Sequence, residues 1–220
     1  MNTTKAYKGL PMEGVIASWY AKTTLKDLKR HKGMALQMSA KIPANGKVLE
    51  IAPGPGYFCI ELAKLGGYQI TGLDISKSFV EIARRNAAQA GLKIDFREGN
   101  ASAMPFKENT FDFTFCQAAF KNFSEPVKAI AEMYRVLRPG GVSVISDLRR
   151  DASAEDLERE MKGMGLGPIN QLMVRWTFKN TLLKNAYTVD EMRSMVAQTP
   201  FRECKINTEG VSLEVWLEKK

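Results

Sequence analysis

The stretch VLEIAPGPGYFCIELAK, residues 48–64, changes from a strand pattern to a helix pattern across a short loop. Its first residues form an apolar run of the kind found in strands that are buried on both faces. The loop at residues 52–56 follows, and apolar residues then recur at helical spacing until Gly66 and Gly67 end the pattern. The stretch therefore predicts a strand, a glycine loop and a helix.

The loop carries Gly54 and Gly56, which lack a Cβ and let the backbone approach a ligand closely. The dinucleotide fingerprint G-x-G-x-x-G is incomplete, because Cys59 stands where its third glycine would be, and the P-loop pattern is absent. Glu50 at the loop entrance would repel a pyrophosphate and attract an ammonium group. These residues favour S-adenosylmethionine, which has an amino group, a sulfonium and no phosphate, over NAD.

Residues 50–56 resemble motif I, E/D-x-G-x-G-x-G, of the class I S-adenosylmethionine-dependent methyltransferases, with Ala52 in place of the first glycine. The similarity extends over residues 45–150 and is greatest to the group that includes the ubiquinone/menaquinone C-methyltransferases. It implies an α/β fold, with a doubly wound, seven-stranded, mostly parallel Rossmann-like sheet, a C-terminal antiparallel hairpin and a helical N-terminal cap. It also implies S-adenosyl-L-methionine as cofactor and S-adenosyl-L-homocysteine as product.

The resemblance also suggests which residues bind the cofactor. Asp74 ends the predicted second strand, where an acid accepts both ribose hydroxyls. Ile75 is expected to pack on the adenine, the amide oxygen of Asn100 to accept from the adenine amino group, and Ala101 to offer its backbone. The backbone of Gln117 is expected to meet the methionine part. The predicted cofactor site comprises Tyr20, Glu50, Ala52, Gly54, Gly56, Asp74, Ile75, Asn100, Ala101 and Gln117.

The sequence does not assign a catalytic residue, but it offers four candidates. His31, the one histidine, lies in a basic run that would lower its pKa and keep it neutral, as suits a general base; a solvated surface histidine is the other interpretation. Tyr20 resembles an aromatic that reaches the cofactor carboxylate. Arg149 follows the predicted fifth strand, and Tyr187 either lines the acceptor pocket or packs in the core; the same two interpretations apply to Trp176, which is not one of the four. No Cys/His cluster suggests a metal.

The formal net charge is +8, and residues 1–46 contribute eight Lys/Arg against two Asp/Glu. This basic excess leaves open an RNA methyltransferase, an anionic small substrate or a solvated helix face. A nicotinamide-dependent oxidoreductase and a non-catalytic relative that binds S-adenosylmethionine are further alternatives. The preferred interpretation is methyl transfer to a small-molecule acceptor by in-line displacement, with nucleic acid an unlikely partner and the oligomeric state not predicted.

The whole chain is predicted to be one domain, with a helical cap (1–44), a cofactor-binding core (45–150), a lid (151–187), and a final helix and hairpin (188–220). In the cap, buried positions are expected at Leu25, Leu28, Leu36 and Met38. Residues 138–141, Arg-Pro-Gly-Gly, are expected to end a helix and turn into the fifth strand. Scattered cysteines, no signal sequence and no membrane-length apolar run indicate a cytoplasmic location without a membrane span.

Overall fold

A computed structural model describes residues 7–8, 12–163 and 183–220 of the chain. Trp176 and most of the predicted lid therefore lie outside the described residues. None of the helices described is long and apolar enough to cross a membrane.

Seven strands in the described residues form a single sheet with the order β3-β2-β1-β4-β5-β7-β6. The strands are β1 (Lys47–Ile51), β2 (Gln69–Asp74), β3 (Asp95–Glu98), β4 (Phe111–Gln117), β5 (Leu137–Leu148), β6 (Lys205–Glu209) and β7 (Ser212–Glu218). The first five pair in parallel, whereas β7 is antiparallel to both β5 and β6. The predicted parallel sheet and its C-terminal hairpin are thus confirmed.

Helices precede the sheet and connect its strands: α1 (Gly14–Thr24), α2 (Leu28–Ser39), α3 (Tyr57–Ala63), α4 (Lys77–Gln89), α5 (Pro126–Val136), α6 (Ala154–Gly163) and α7 (Val189–Ala197). Their ends follow from local chemistry. The hydroxyl of Ser76 accepts from the backbone N–H of Phe79 and caps α4. The side chain of Thr188 and that of Glu191 form a reciprocal capping box at the start of α7.

Alternate residues of each strand point to opposite faces of the sheet, and helices cover both faces. Leu49 and Ile51 of β1 pack in one core cluster with α5 and α7. Val48, the residue before Leu49, points to the opposite face and packs in a second cluster with α2, α3 and α4, together with Phe113 and Phe115 of β4. Two helical layers therefore cover one sheet, as the doubly wound fold requires.

The predicted buried positions of the cap are only partly correct. Met38 is fully buried, but Leu25, Leu28 and Leu36 are 50%, 38% and 63% exposed. The inward side of α2 contains Ala35 and Met38, and the small alanine lets α2 pack closely against α3. The expectation for the three leucines is wrong because Leu25 lies in a short 3₁₀ helix before α2, and the spacing of Leu28 and Leu36 alone did not identify the buried side of α2.

The Arg-Pro-Gly-Gly segment at residues 138–141 lies inside β5 rather than before it. Phe111 of β4 pairs with Leu137 and Phe113 pairs with Val142, so residues 138–141 form a bulge in the ladder. Gly140 has φ +77°, a left-handed conformation that favours glycine. The helix does end just before this segment, as predicted, and the strand resumes after it.

Candidate active site

The predicted cofactor residues converge at the carboxyl edge of the sheet, around the point where the strand order reverses. β1 lies between β2 and β4, so the connections after β1 and β4 leave on opposite sides of the sheet. Ligands of open α/β sheets bind in the crevice at such a switch point. Asp74 and Gln117 are the last residues of β2 and β4, and the glycine loop follows β1.

The glycine loop has a left-handed backbone at three positions. Ala52 has φ +56°, Gly54 φ +53° and Gly56 φ +79°. Ala52 therefore adopts a conformation that favours glycine, at a cost of about 1–2 kcal/mol for an L-residue. A Cβ on Gly56 would lie 2.8 Å from Cζ of Phe96, whereas one on Gly54 would meet nothing within 4 Å. Gly56 is thus required by packing, and Gly54 faces open space.

Asp74 joins the second strand to the glycine loop. Its Oδ2 accepts from the backbone N–H of Gly54 at 2.9 Å, and its Oδ1 accepts from that of Ser76 at 2.9 Å. The carboxyl is 5% exposed, and burial raises its pKa to about 6 despite these hydrogen bonds. Each oxygen keeps a second lone pair, so the carboxylate has the acceptor capacity that two ribose hydroxyls would need.

Glu50, in β1, is a second buried carboxyl beside the same loop. Its Oε2 accepts from the backbone N–H of Cys59 at 3.2 Å and from the Cys59 thiol at 2.8 Å. Burial raises the pKa of Glu50 to about 7, and the charge of Asp74 adds to the shift. Two desolvated carboxyls that disfavour each other's ionisation fit a cationic ligand and disfavour an anionic one. The residues present therefore fit S-adenosylmethionine.

The adenine loop predicted around Asn100 is held by an internal hydrogen bond. Oδ1 of Asn100 accepts from the backbone N–H of Ser102 at 2.9 Å, and Asn100 also forms an isolated bridge with Ala103. Ala101 packs partly against the core cluster. Ile75, directly after Asp74, is 42% exposed, which leaves its side chain accessible to a planar ligand. The contacts of Asn100, Ala101 and Ile75 leave their predicted roles at the adenine as predictions.

Tyr20 lies on α1, which packs against α4. Its ring contacts Phe79 of α4 edge to face, with 5.7 Å between ring centroids. Burial raises the pKa of Tyr20, and the pKa of Tyr7 is raised by burial and by the nearby Tyr20, Asp74 and Asp147. The cap therefore brings two phenols close to the carboxylates at the sheet edge.

His31, on α2, is half-buried rather than on the surface. Its ring centroid lies 5.7 Å from that of Tyr57, the first residue of α3, and the Gln117 side chain is within hydrogen-bonding reach of the imidazole. Its Nδ1 is buried and has no hydrogen-bond partner among the residues that the structure describes. Burial, with the charge of Arg30, lowers the pKa of His31, so the imidazole is neutral at pH 7.

The segment at Tyr7 and Lys8 crosses the end of the sheet. Tyr7 forms a bridge with Phe123, and the backbone N–H of Lys8 donates to the carbonyl of Asn122 at 2.7 Å. Nζ of Lys8 donates to the hydroxyl of Tyr187 at 2.7 Å. The Tyr187 ring in turn lies 5.8 Å from that of Phe120. Phe120 and Tyr187 therefore form an aromatic contact just beyond β4, under this segment.

Sequence reasoning missed Lys121, which forms a buried ion pair with Asp147. Nζ of Lys121 lies 2.8 Å from Oδ1 of Asp147, and both side chains are less than a tenth exposed. Nζ also donates to the carbonyl of Ala118, and Asp147 accepts from the backbone N–H groups of Lys121 and Leu148. A lysine soon after one strand and an aspartate near the end of the next were the only signal that could have indicated it.

The structure also explains Arg149 and Cys116. The guanidinium of Arg149 donates to Asp156 at 3.2 Å and to the carbonyl of Gly210 at 3.1 Å. It thus ties β5 to α6 and to the hairpin turn. Cys116 is fully buried, and burial raises the pKa of its thiol well above the ordinary value, which disfavours a nucleophilic thiolate. In the described part of the chain, no group of three His, Cys, Asp or Glu residues could hold a metal.

Comparison with protein families matches residues 49–145 to the methyltransferase domain family. A demethylmenaquinone methyltransferase from Deinococcus radiodurans is 37% identical over 108 residues, which are 49% of this chain and 45% of that protein. A ubiquinone/menaquinone biosynthesis C-methyltransferase from a Marinomonas species is 33% identical over 116 residues, 51% of this chain and 46% of the relative. The matched region spans about half the length of these relatives.

Solved structures share the fold at lower identity. A Methanococcus maripaludis protein assigned to the S-adenosylmethionine-dependent methyltransferases superposes with a TM-score of 0.75 at 21% identity, covering 100% of this chain and 96% of that one. An S-adenosylmethionine-dependent methyltransferase from Aquifex aeolicus gives a TM-score of 0.60 at 18% identity, with 90% and 88% covered. The predicted fold and the resemblance to class I S-adenosylmethionine-dependent methyltransferases are confirmed.

Proposed function

We propose that this chain, whose residues 49–145 match the methyltransferase domain family, transfers the methyl group of S-adenosylmethionine to a small-molecule acceptor. The observation that carries the proposal is the pair of buried carboxyls, Glu50 and Asp74, beside the glycine loop. Burial raises the pKa of both carboxyls, and within the described residues neither forms an ion pair with a cation. A ligand with an ammonium and a sulfonium would supply the missing positive charge, whereas NAD would bring a pyrophosphate.

S-adenosylmethionine supplies a methyl group already activated by a sulfonium, so the protein has to align the acceptor and exclude water. We assign the ribose contact to Asp74, the methionine contact to Glu50 and to the backbone of Gln117, and the adenine contacts to the region of Ile75 and Asn100. The crossing segment at residues 7–8 covers the end of the sheet where transfer would occur.

We assign the general base to His31. Its buried Nδ1 has no hydrogen-bond partner in the described part of the chain, and its lowered pKa keeps it neutral and able to accept a proton at pH 7. Gln117 places the imidazole at the end of β4, beside the proposed methionine contact. His31 would accept at Nδ1 the proton that the acceptor nucleophile loses on methylation, and bound S-adenosylmethionine would supply the activated methyl group.

We propose an acceptor with an apolar ring and an ionisable nucleophile. Phe120 and Tyr187 form an aromatic contact beyond β4, next to the buried Lys121–Asp147 pair. The half-buried ring of Tyr187, with the buried Phe120 behind it, suits a planar apolar acceptor. The relatives named demethylmenaquinone methyltransferases support the same class, because their names specify a quinone-type acceptor.

Of the other catalytic candidates, Tyr20 is proposed to contact the cofactor and Tyr187 to contact the acceptor. Arg149 is proposed to act structurally, through its contacts with Asp156 and Gly210. We place the enzyme in the cytoplasm, in keeping with three unpaired cysteines, two of them buried. The nicotinamide-dependent alternative is disfavoured by the antiparallel edge of the sheet and by the two buried carboxyls.

The proposed function is tested by supplying S-adenosylmethionine with a labelled methyl group together with candidate acceptors. The panel comprises demethylated quinols and phenols, alkyl amines, thiols and bulk tRNA. Transfer to a quinol or phenol, abolished by Asp74→Ala, supports the proposal. Transfer to tRNA alone would replace it with the RNA alternative, and binding of the cofactor without transfer to any acceptor would favour a non-catalytic relative.

A further inference from the structure

The N-terminal helices expose an unusual amount of apolar side chain. Within the described residues, eight large hydrophobic side chains are exposed, and six of them lie between residues 15 and 36: Val15, Ile16, Trp19, Leu25, Leu28 and Leu36. Val15 is 85% exposed and Trp19 64%. Single exposed hydrophobic residues need no explanation, but a group of six on consecutive helices marks an interaction surface.

The exposed residues lie on the outer side of these helices because the inner side is already packed. Ala17 and Ala21 of α1 contact Phe79 and Ile82 of α4. Val15 and Trp19 are four residues apart on the opposite side, and Lys22 and Lys26 continue the same face along the chain. The outer side of these helices is therefore not used in packing the cap. It is also separate from the candidate cofactor site, which lies on the inner side.

The same surface is strongly basic. Residues 14–39 contain five Lys/Arg and one acidic residue, Asp27. Within the described residues, none of the five cations forms an ion pair with another side chain; they are Lys22, Lys26, Lys29, Arg30 and Lys32. We call Val15, Ile16, Trp19, Leu25, Leu28 and Leu36, with these five cations, the cap surface.

We propose that the cap surface docks on an anionic lipid bilayer. Apolar side chains that enter the acyl boundary, a tryptophan at the interface and lysines near the headgroups are the features of helices that lie in a membrane interface. α1 and α2 carry Tyr20 and His31 on their inner side, so docking would bring the covered end of the sheet close to the lipid. This proposal rests on exposure and charge and does not depend on the proposed reaction.

Two other occupants fit the surface less well. A second copy of the chain would bring two sets of five cations together, which is unfavourable unless counter-charges intervene. RNA would be held by the lysines, but it stacks on aromatic side chains, and the cap surface offers one tryptophan among aliphatic residues. Anionic lipid satisfies both the charge and the aliphatic character.

The proposal is tested by sedimenting the full chain with vesicles of phosphatidylcholine alone and of phosphatidylcholine mixed with phosphatidylglycerol. We expect binding to the mixed vesicles that weakens with salt, and little binding to the neutral ones. Val15→Asp/Trp19→Asp and, separately, Lys22→Gln/Lys26→Gln should each weaken binding at least about tenfold. Leu65→Asp, at an exposed leucine elsewhere, and Lys93→Gln are the matched controls and should bind as the unchanged chain does.

The outcomes are distinct from those of the methyl-transfer assay, because vesicle binding is measured without substrate. Absence of binding to the mixed vesicles would overturn the proposal, as would equal loss in the control variants. Dimerisation in analytical ultracentrifugation that Val15→Asp/Trp19→Asp abolishes, without vesicle binding, would assign the surface to a second copy. Salt-dependent binding of RNA that needs Lys22 and Lys26, again without vesicle binding, would assign it to nucleic acid.

Discussion

The Glu50 carboxylate accepts two hydrogen bonds from one residue, Cys59: one from its backbone N–H at 3.2 Å and one from its thiol at 2.8 Å. Cys59 lies in the first turn of α3, so these bonds link the end of β1 to the start of the helix across the glycine loop. They lower the pKa of Glu50, but burial outweighs them and the pKa reaches about 7. The loop is therefore closed by a carboxyl that is only part ionised at neutral pH.

This gives a prediction for stability. At pH values below its ordinary pKa of 4.5, Glu50 is protonated in both the folded and the unfolded chain. Its burial then does not lower the free energy of unfolding. As pH rises from there to about 7, the unfolded chain ionises first and stability falls, by about 3 kcal/mol for a shift of this size. In Glu50→Gln, the free energy of unfolding measured in urea should fall much less between pH 5 and pH 8. Parallel curves for the two proteins would contradict the assignment.

The two glycines of the loop should respond differently to alanine. Both have positive φ, which costs about 1–2 kcal/mol for alanine. In Gly56→Ala the new methyl also meets Phe96 and Ala83, so unfolding by urea should show a greater loss, about 2–4 kcal/mol. Gly54→Ala has open space and should lose less stability but bind S-adenosylmethionine more weakly. Equal stability losses, or unchanged affinity in Gly54→Ala, would contradict this account of the loop.

Breaking the buried Lys121–Asp147 pair should be costly. Lys121→Met leaves Asp147 buried with only its backbone N–H partners, and we expect a loss of about 3 kcal/mol in urea unfolding. In the double variant Lys121→Met/Asp147→Asn, no charge is left unpaired, so it should be less unstable than the sum of the single changes. Strict additivity would show that the two side chains are not coupled.

His31 is predicted to act in turnover and not in cofactor binding. His31→Asn should lower kcat by about 10²–10⁴-fold while leaving the Kd for S-adenosylmethionine nearly unchanged. The rate of the unchanged enzyme should fall at acidic pH, below the lowered pKa of His31, and this limb should vanish in the variant. Gln37→Asn, on the exposed side of the same helix, is the control. A parallel loss of cofactor affinity would instead assign His31 to the cofactor site.

Much of the fold could be predicted from local patterns. Apolar runs of neighbouring residues indicate strands that are buried on both faces, and glycines after a helical pattern indicate where helices end. The cap could not be predicted in this way, since Leu25 lies in a short 3₁₀ helix before α2, and the spacing of Leu28 and Leu36 fits either side of α2. The buried side contains Ala35 and Met38, which is decided by how closely α2 can approach α3. The three leucines that were expected in the core instead form part of the cap surface.

For the site, residues with a motif could be predicted, and those that depend on tertiary contacts could not. Asp74, Gly54 and Gly56 are marked by their order along the chain. Lys121 could not be predicted, because its ion pair with Asp147 depends on β4 and β5 being neighbours in the sheet. His31 could be named because it is the one histidine, but its buried Nδ1 depends on how α2 packs against α3.

The central claim, that residues 48–64 and Asp74 hold S-adenosylmethionine, is tested most directly by calorimetric titration of the chain with S-adenosylmethionine, S-adenosylhomocysteine and NAD. We predict binding of the first two at about micromolar strength, about −8 kcal/mol, and none of NAD. Asp74→Ala should abolish both bindings while the chain remains folded by circular dichroism. Binding of NAD alone, or unchanged binding of S-adenosylmethionine in Asp74→Ala, would contradict the account.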